Sequence, residues 1–170
     1  MTIPTLETER LRLRAFREAD LDAYAAICAD PNVMRHLGDG RPLTREDAWR
    51  QMAWILGHWA LRGYGLWAVE ERATGALIGR IGHINPAGWP GFELGWMLGA
   101  AYWGKGYATE GARRALAYAF DTLARPHVIS LIREQNTPSI RVAERLGETL
   151  EGRVELYGQA ALVYGVDRPR

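Results

Sequence analysis

The sequence predicts an α/β (α+β) domain in which one sheet of about seven strands carries helices on both faces. Short segments of alternating apolar and polar residues recur along the chain, as expected for half-buried strands. Longer segments between them place apolar residues at helical spacing. The resulting order is β-α-α-β-β-β-α-β-α-β-β, which one sheet with helices packed against it accommodates.

The alternation that predicts strands is clearest near the N-terminus, where Leu11 and Leu13 alternate with arginines. Gly75 lies in a short connection that predicts an antiparallel hairpin. The predicted strands are 10–16, 66–71, 76–85, 92–98, 127–132, 148–156 and 161–166.

Capping and breaking residues set the limits of the predicted helices. Thr44, with Asp47 three residues later, is typical of a helix start. Pro31 and Gly147 indicate helix ends, because the residue before proline avoids the helical region and glycine accepts positive φ. The predicted helices are 18–28, 45–61, 107–123 and 138–146, with a short helical turn near 33–37.

The composition indicates a single domain over 1–170 with no strong electrostatic attraction to nucleic acid or membrane. The net charge is +1, and no segment approaches the ~18 consecutive apolar residues of a membrane span. Cys28 is the single cysteine, so an intramolecular disulfide is impossible and a cytoplasmic location is expected. The charged N-terminus is unlike a signal peptide. We expect no metal site.

The segment 94–110 has the order strand, glycine-rich loop, helix. A helix start exposes backbone N–H groups and the positive end of the helix dipole. Gly104 and Gly106 allow the backbone to approach a ligand closely, and Lys105 adds a positive charge. These features predict a phosphate-binding loop, although a simple tight turn would use the same residues.

A nucleotide-triphosphate loop is the competing interpretation of this segment. Gly99, Gly104 and Lys105 fit most of the pattern G-x-x-x-x-G-K, but the motif then requires Ser or Thr to bind magnesium. Gly106 stands at that position, and no apolar strand ending in Asp supplies a second metal contact. A phosphohydrolase is therefore disfavoured.

Several segments, taken in chain order, resemble the GNAT superfamily of acyltransferases, and specifically its ribosomal-protein N-terminal acetyltransferase (RimJ/RimL-like) branch. They are ETERLRLR at 7–14, IGRIG at 78–82, ELGWML at 93–98, WGKGYATE at 103–110, NTPSIRV at 136–142 and LG at 146–147. The resemblance covers nearly the whole chain and implies the GNAT fold, with a mixed, mostly antiparallel sheet. The residue after LG is commonly aromatic or Met in this branch, whereas this chain has Glu148.

The resemblance implies acetyl-CoA as the acyl donor and a set of residues that bind it. The pantetheine arm would lie along the fourth strand, the diphosphate would meet the amides of the glycine loop, and Asn136 would bind an amide of the arm. The implied residues are Met97, Leu98, Gly99, Trp103, Gly104, Lys105, Gly106, Tyr107, Ala108, Thr109 and Asn136.

The resemblance also suggests two catalytic residues. Glu93, on the strand that lines the cleft in this family, could accept the proton of the attacking amine. Ser139 could hydrogen-bond the leaving sulfur. Glu93 could instead bind a substrate cation or face solvent, and Ser139 and Asn136 could simply cap their helix. His83 is a second candidate base, with a structural histidine as its alternative.

The acceptor is expected to be a primary amine, with a protein N-terminus as the branch's suggestion. A small amine such as a polyamine, amino acid or aminoglycoside is the alternative, because the fold does not fix the acceptor. A non-catalytic acyl-CoA sensor is a third possibility, and both a monomer and a homodimer fit the sequence. An aromatic-lined acceptor site is indicated by three residues, Trp54, Trp59 and Tyr64. For the two tryptophans, packing in the core is the alternative interpretation.

Overall fold

A computed structural model describes residues 2–169 as one eight-stranded sheet with helices on both faces. The order of strands across the sheet is β1-β2-β3-β4-β5-β6-β8-β7, and neighbours are antiparallel except β5 and β6, which are parallel. The strands are β1 (Leu6–Glu7), β2 (Leu11–Arg14), β3 (Leu66–Glu71), β4 (Leu77–Ile84), β5 (Glu93–Leu98), β6 (His127–Ile132), β7 (Thr149–Leu156) and β8 (Gln159–Asp167).

The mixed sheet confirms the predicted fold class, with one strand more than the seven expected. The additional strand, β1, has two residues and pairs with β2 through Leu6 and Leu13. A two-residue strand is too short for an alternating pattern to reveal it.

Five α-helices accompany the sheet within residues 2–169, and two of them begin or end at residues that predicted a helix limit. Thr44 caps α3 by accepting a hydrogen bond from the Asp47 amide, and Gly63 ends it with φ of 75°. Gly147 ends α5 in the same left-handed conformation. The helices are α1 (Leu21–Cys28), α2 (Pro31–Met34), α3 (Arg45–Arg62), α4 (Tyr107–Asp121) and α5 (Thr137–Leu146).

The side chains of β4 show that α1 and α4 lie on opposite faces of the sheet. Ile81 packs against Gly111 of α4. A Cβ atom added to Gly111 would lie only 2.5 Å from Cδ1 of Ile81. Arg80, the preceding residue, lies beside Tyr24 and Cys28 of α1. Successive side chains of a strand point to opposite faces, so the sheet separates the two helices.

The sheet separates between its two parallel strands. Strands β5 and β6 pair at one position, Glu93 with Ile129, and the hydroxyl of Ser130 donates a 2.8 Å hydrogen bond to the carbonyl of Leu94 just beyond it. Further along β5 the two strands no longer pair, which leaves a cleft beside Trp96 and Met97. Within residues 2–169, no helix is long and apolar enough to cross a membrane.

Candidate active site

The glycine loop forms an open helix start at one end of the cleft. Gly104 and Gly106 have φ of 73° and 80°, a region that L side chains rarely adopt. Gly106 is the N-cap of α4, and no side chain caps this helix, whereas Asp30, Thr44 and Asn136 cap α2, α3 and α5. The first amides of α4 therefore have neither an intrahelical acceptor nor a capping side chain.

Arg10 braces this loop from the opposite end of the chain. Its Nη1 donates a 2.9 Å hydrogen bond to the carbonyl of Lys105, and its guanidinium pairs with Glu110 in the first turn of α4. Thr8 donates a further hydrogen bond of 2.6 Å to the same carboxylate. The β1–β2 turn thus fixes the position of the glycine loop. The sequence did not predict this role, because Arg10 and Lys105 are 95 residues apart in the chain.

A cavity of about 480 Å³ lies at this helix start and is called here the helix-mouth cavity. Nine of the eleven residues predicted to bind acetyl-CoA line it: Met97, Leu98, Trp103, Gly104, Gly106, Tyr107, Ala108, Thr109 and Asn136. The other two do not. Gly99 donates its amide to the carbonyl of Ile78, and Lys105 is exposed with its Nζ 5.4 Å from the centre of the Tyr102 ring.

Three arginines that the sequence did not single out also line the helix-mouth cavity. They are Arg35, Arg141 and Arg145, and they add positive charge to a site that already has an open helix N-terminus. The donor set of amides and guanidinium groups fits phosphate oxygens. In sequence these arginines resemble solvated surface residues, so only the folded arrangement reveals them.

A second cavity of about 460 Å³, called here the Glu93 cavity, adjoins the first. Its lining includes the aromatic residues Trp54, Trp89, Trp96 and Tyr157. Trp59, by contrast, is buried in the core, where its Nε1 donates to the carbonyl of Leu66. Five residues line both cavities and mark where they meet: His36, Leu37, Trp96, Asn136 and Ser139.

Glu93 lies in the second cavity as a buried carboxylate. It is 9% exposed, and Oε2 accepts a 2.6 Å hydrogen bond from Nε1 of Trp89. Burial raises its pKa to about 7, although the Trp89 hydrogen bond acts in the opposite direction. Such a carboxylate is half ionised near neutral pH, which suits a group that accepts a proton during a reaction.

Ser139 stands at the junction of the two cavities, in the first turn of α5. Its Oγ accepts a 3.2 Å hydrogen bond from Nε1 of Trp96, and its amide donates to Oδ1 of Asn136 at 3.4 Å. Asn136 is therefore the cap of α5, as the alternative interpretation held, and it faces both cavities as well. Capping and ligand contact are compatible at this position.

His83, the second candidate base, lies in the core. It is fully buried on the α4 face, stacks on Phe92, and places Nε2 2.9 Å from the carbonyl of Ala115. Burial lowers its pKa to about 4, so the imidazole is neutral at physiological pH. These contacts support the structural interpretation of His83.

Comparison with known proteins identifies the family. Residues 10–149 match the model of the acetyltransferase (GNAT) domain. The chain belongs to the GNAT acetyltransferase family. The solved acetyltransferase from Agrobacterium tumefaciens strain C58 superimposes with a TM-score of 0.85 at 36% identity, covering 98% of this chain and 95% of that one.

Two curated relatives of this GNAT acetyltransferase agree with that assignment. The uncharacterized N-acetyltransferase YnaD of Bacillus subtilis strain 168 is 32% identical over 86% of this chain and 84% of its own length. The FsC-acetyl coenzyme A-N(2)-transacetylase of Aspergillus fumigatus is 30% identical, covering 84% of this chain and 61% of its own length.

Arg133 closes one side of the Glu93 cavity in this acetyltransferase. Its guanidinium is buried and donates to four carbonyls on two separate segments. One is Gly38, in the loop after α2, at 2.9 Å, and the other three belong to the β7–β8 hairpin: Leu156, Gln159 and Ala160. The cavity wall is thus built from three distant parts of the chain.

Glu148, where the branch commonly has an apolar residue, is a second buried carboxylate close to Glu93. It is 2% exposed, its Oε1 lies 3.0 Å from Oγ of Ser130, and its Oε2 has no partner. Burial raises its pKa to about 7, with a contribution from the charge of Glu93.

Within residues 2–169, no group of three or more His, Cys, Asp or Glu is arranged to hold a metal ion.

Proposed function

We propose that this GNAT acetyltransferase moves an acetyl group from acetyl-CoA to a primary amine. The observation that carries the proposal is the meeting of two cavities at Trp96, Asn136 and Ser139. One cavity ends at an open helix start suited to a diphosphate, and the other holds the buried carboxylate of Glu93. A thioester at the junction would then face an amine beside Glu93.

The helix-mouth cavity is the proposed site of acetyl-CoA. The amides that follow Gly104, with Arg141 and Arg145, would hold its phosphates, and Asn136 would bind an amide of the pantetheine arm. The edge of β5 at Met97 and Leu98 would align the arm, because β6 has diverged from β5 there. Holding both substrates in this way replaces a bimolecular encounter.

Glu93 is the proposed general base. An alkylammonium has a pKa near ~10, so the acceptor must lose a proton before its nitrogen can attack. The carboxylate of Glu93 takes that proton, directly or through a water molecule. The neutral amine then attacks the thioester carbonyl, the C–N bond forms, and the C–S bond breaks with CoA thiolate as the leaving group. A pKa of about 7 keeps a large fraction of Glu93 ionised at neutral pH.

Ser139 is the proposed partner of the leaving sulfur. Its Oγ accepts a hydrogen bond from Trp96, which leaves the hydroxyl proton free to be directed toward the junction of the cavities. A donor at that position stabilises negative charge as it develops on sulfur.

The resemblance to the ribosomal-protein N-terminal acetyltransferase branch supports a protein N-terminus as one acceptor class. A small-molecule amine is an equally open class, because the fold does not fix the acceptor. We also propose a cytoplasmic location, no nucleic-acid or membrane partner, and a monomer or homodimer. The unusually buried Glu93 favours an enzyme over an acyl-CoA sensor.

A two-step measurement tests the proposal. Acetyl-CoA should first raise the melting temperature, because it binds the folded state alone. Free thiol release is then followed with acetyl-CoA and a panel of peptides, amino acids, polyamines and aminoglycosides. Amine-dependent release supports the acetyltransferase, whereas stabilisation without release from any amine indicates the sensor. The absence of stabilisation would contradict the proposed acetyl-CoA site.

A further inference from the structure

Arg80 presents a positive charge to the Glu93 cavity and forms no ion pair with a carboxylate of the described residues. It lies on β4, opposite Met97 of β5, and lines the cavity. Its Nε is buried and has no hydrogen-bond partner. The ion pairs formed among residues 2–169 do not include Arg80.

The charge of Arg80 acts across the cavity on Glu93 and lowers the pKa of that carboxyl, but the two groups do not form an ion pair. The other polar neighbours of Arg80 carry no opposite charge. Those on α1 are the hydroxyl of Tyr24 and the thiol of Cys28. Burial raises the pKa of both groups, so both are uncharged at neutral pH. Arg80 is half-buried, and partial removal of a cation from water without a paired counter-ion costs free energy that a bound anion would offset.

Two other arginines near the sheet have partners for their guanidinium groups. Arg14 is buried but pairs with Asp20 and Glu70, each at 2.8 Å. Arg133 lines the same cavity as Arg80 and has its donors occupied by backbone carbonyls. Arg80 therefore differs from both in having its charge available to a ligand.

The acidic groups of the Glu93 cavity are few. Among its lining residues in the described part of the chain, Glu93 is the one carboxylate, whereas Arg50, Arg80 and Arg133 are all cationic. A polyamine would place a second ammonium group where no second carboxylate receives it and close to Arg80. An acceptor with one ammonium and one anionic group would instead match both charges.

We propose that the acceptor is a small primary amine that carries a carboxylate, and that Arg80 binds this carboxylate while Glu93 faces the amine. The proposal rests on the proposed acetyltransferase function and specifies its substrate class. In the pairing of β4 with β5, Arg80 is opposite Met97 and Glu93 is opposite Ile84. Arg80 and Glu93 are therefore separated by four residue positions along the paired strands. At about 3.3 Å per residue their backbones are about 13 Å apart along the strands, and both side chains line the same cavity.

Matched pairs of acceptors test this proposal. Each pair consists of a free amino acid and its carboxamide, with one to five carbons between amine and carboxylate. Equilibrium binding is measured by calorimetry in the presence of CoA, so the result does not depend on turnover. At least one acid should bind the wild type about 10- to 100-fold more tightly than its amide, as expected for a hydrogen bond to a charged group.

Arg80→Gln should abolish the preference for the acid, and Arg80→Lys should restore part of it by keeping the charge. Arg45→Gln is the control, because Arg45 lies outside both cavities and pairs with Asp22. Arg80→Gln should also melt no lower than the wild type, since it removes an unpaired charge. A melting temperature lowered by more than about 10 °C would indicate a structural role and overturn the proposal.

Equal binding of acids and amides by the wild type, or an acid preference that survives in Arg80→Gln, would overturn the inference even if amines are acetylated. Thiol release with polyamines or peptides but not with acids would do the same while leaving the acetyltransferase function intact. Failure of the proposed function would be recognised separately, as no thiol release with any amine.

Discussion

Nε1 of Trp89 lies 2.6 Å from Oε2 of Glu93, so an indole on the β4–β5 loop fixes the orientation of the buried carboxylate. Trp89 also contacts Tyr157 of the β7–β8 hairpin, with ring centroids 6.3 Å apart. The side chain of the proposed base is thus held by an aromatic residue that also lines the Glu93 cavity. The pKa of Glu93 therefore depends on the position of Trp89.

Glu93→Gln should lower kcat by about 100-fold or more, as expected for loss of a general base. The wild-type rate should rise with pH through about 7, because the carboxylate accepts a proton only when ionised. The ratio of the wild-type kcat to the kcat of the variant should therefore be greatest above pH 7 and smallest well below it. The pH profile of kcat under saturating substrates measures this, and a variant with the wild-type profile would exclude Glu93 as the base.

Trp89→Phe should move the inflection of that profile to higher pH. The indole hydrogen bond favours the ionised form of Glu93 and lowers its pKa, so removing the donor raises the pKa further. Phenylalanine retains an aromatic ring in the cavity wall, which separates the loss of the hydrogen bond from the loss of packing. An inflection that stays in place or moves to lower pH would contradict this account.

Gly106→Val should raise the KM for acetyl-CoA by about 10-fold or more while changing kcat little. A branched side chain at φ of 80° strains the loop and occupies the start of α4, where the diphosphate would lie. Gly75→Val is the control for backbone strain, because Gly75 has φ of 72° and lies on the β3–β4 turn. An added Cβ would meet no atom within 4 Å at Gly75 and only Nη2 of Arg10, at 3.4 Å, at Gly106. Equal KM values for the two variants would count against the phosphate assignment.

Glu148→Gln should stabilise the protein at pH 8 and leave its stability nearly unchanged at pH 4.5. Because the folded-state pKa is raised to about 7 from 4.5, the folded state retains a proton that the unfolded state loses. The wild type therefore loses stability as pH rises through this range, by up to roughly 3 kcal/mol. Glutamine has no such loss.

Urea unfolding at several pH values measures this difference, with Glu155→Gln on the exposed face of β7 as the control. The pKa of Glu93 is also raised, and its effect on the pH dependence of the free energy of unfolding is present in both variants. A Glu148→Gln variant less stable than the wild type at pH 8 would show that the carboxylate is needed in its charged form.

The sequence predicted the elements that depend on local chemistry. Gly104 and Gly106 have the positive φ that glycine permits, Thr44 caps α3, and all seven predicted strands are present with limits shifted by a few residues. Glu93 was singled out through its place on β5, but its burial depends on Trp89 and on the divergence of β6, which no local pattern records.

The parts that escaped prediction are contacts between distant segments. Arg10 reaches Lys105, and Arg133 reaches Gly38, each across 95 residues. Arg80 could not be distinguished in sequence from the arginines of β2, because its lack of a partner is a property of the folded cavity. Periodicity identifies which face of an element is buried, whereas these roles depend on which distant groups meet after folding and which charge is left without a partner.

A crystal structure of the protein with CoA tests the central claim most directly. The distances from the diphosphate oxygens to the amide nitrogens of Gly106, Tyr107 and Ala108 decide it. We expect at least two of them to lie at about 2.7–3.2 Å, with the thiol ending near Ser139 and Trp96. A diphosphate bound elsewhere, or a helix mouth filled by side chains while CoA lies outside it, would contradict the account.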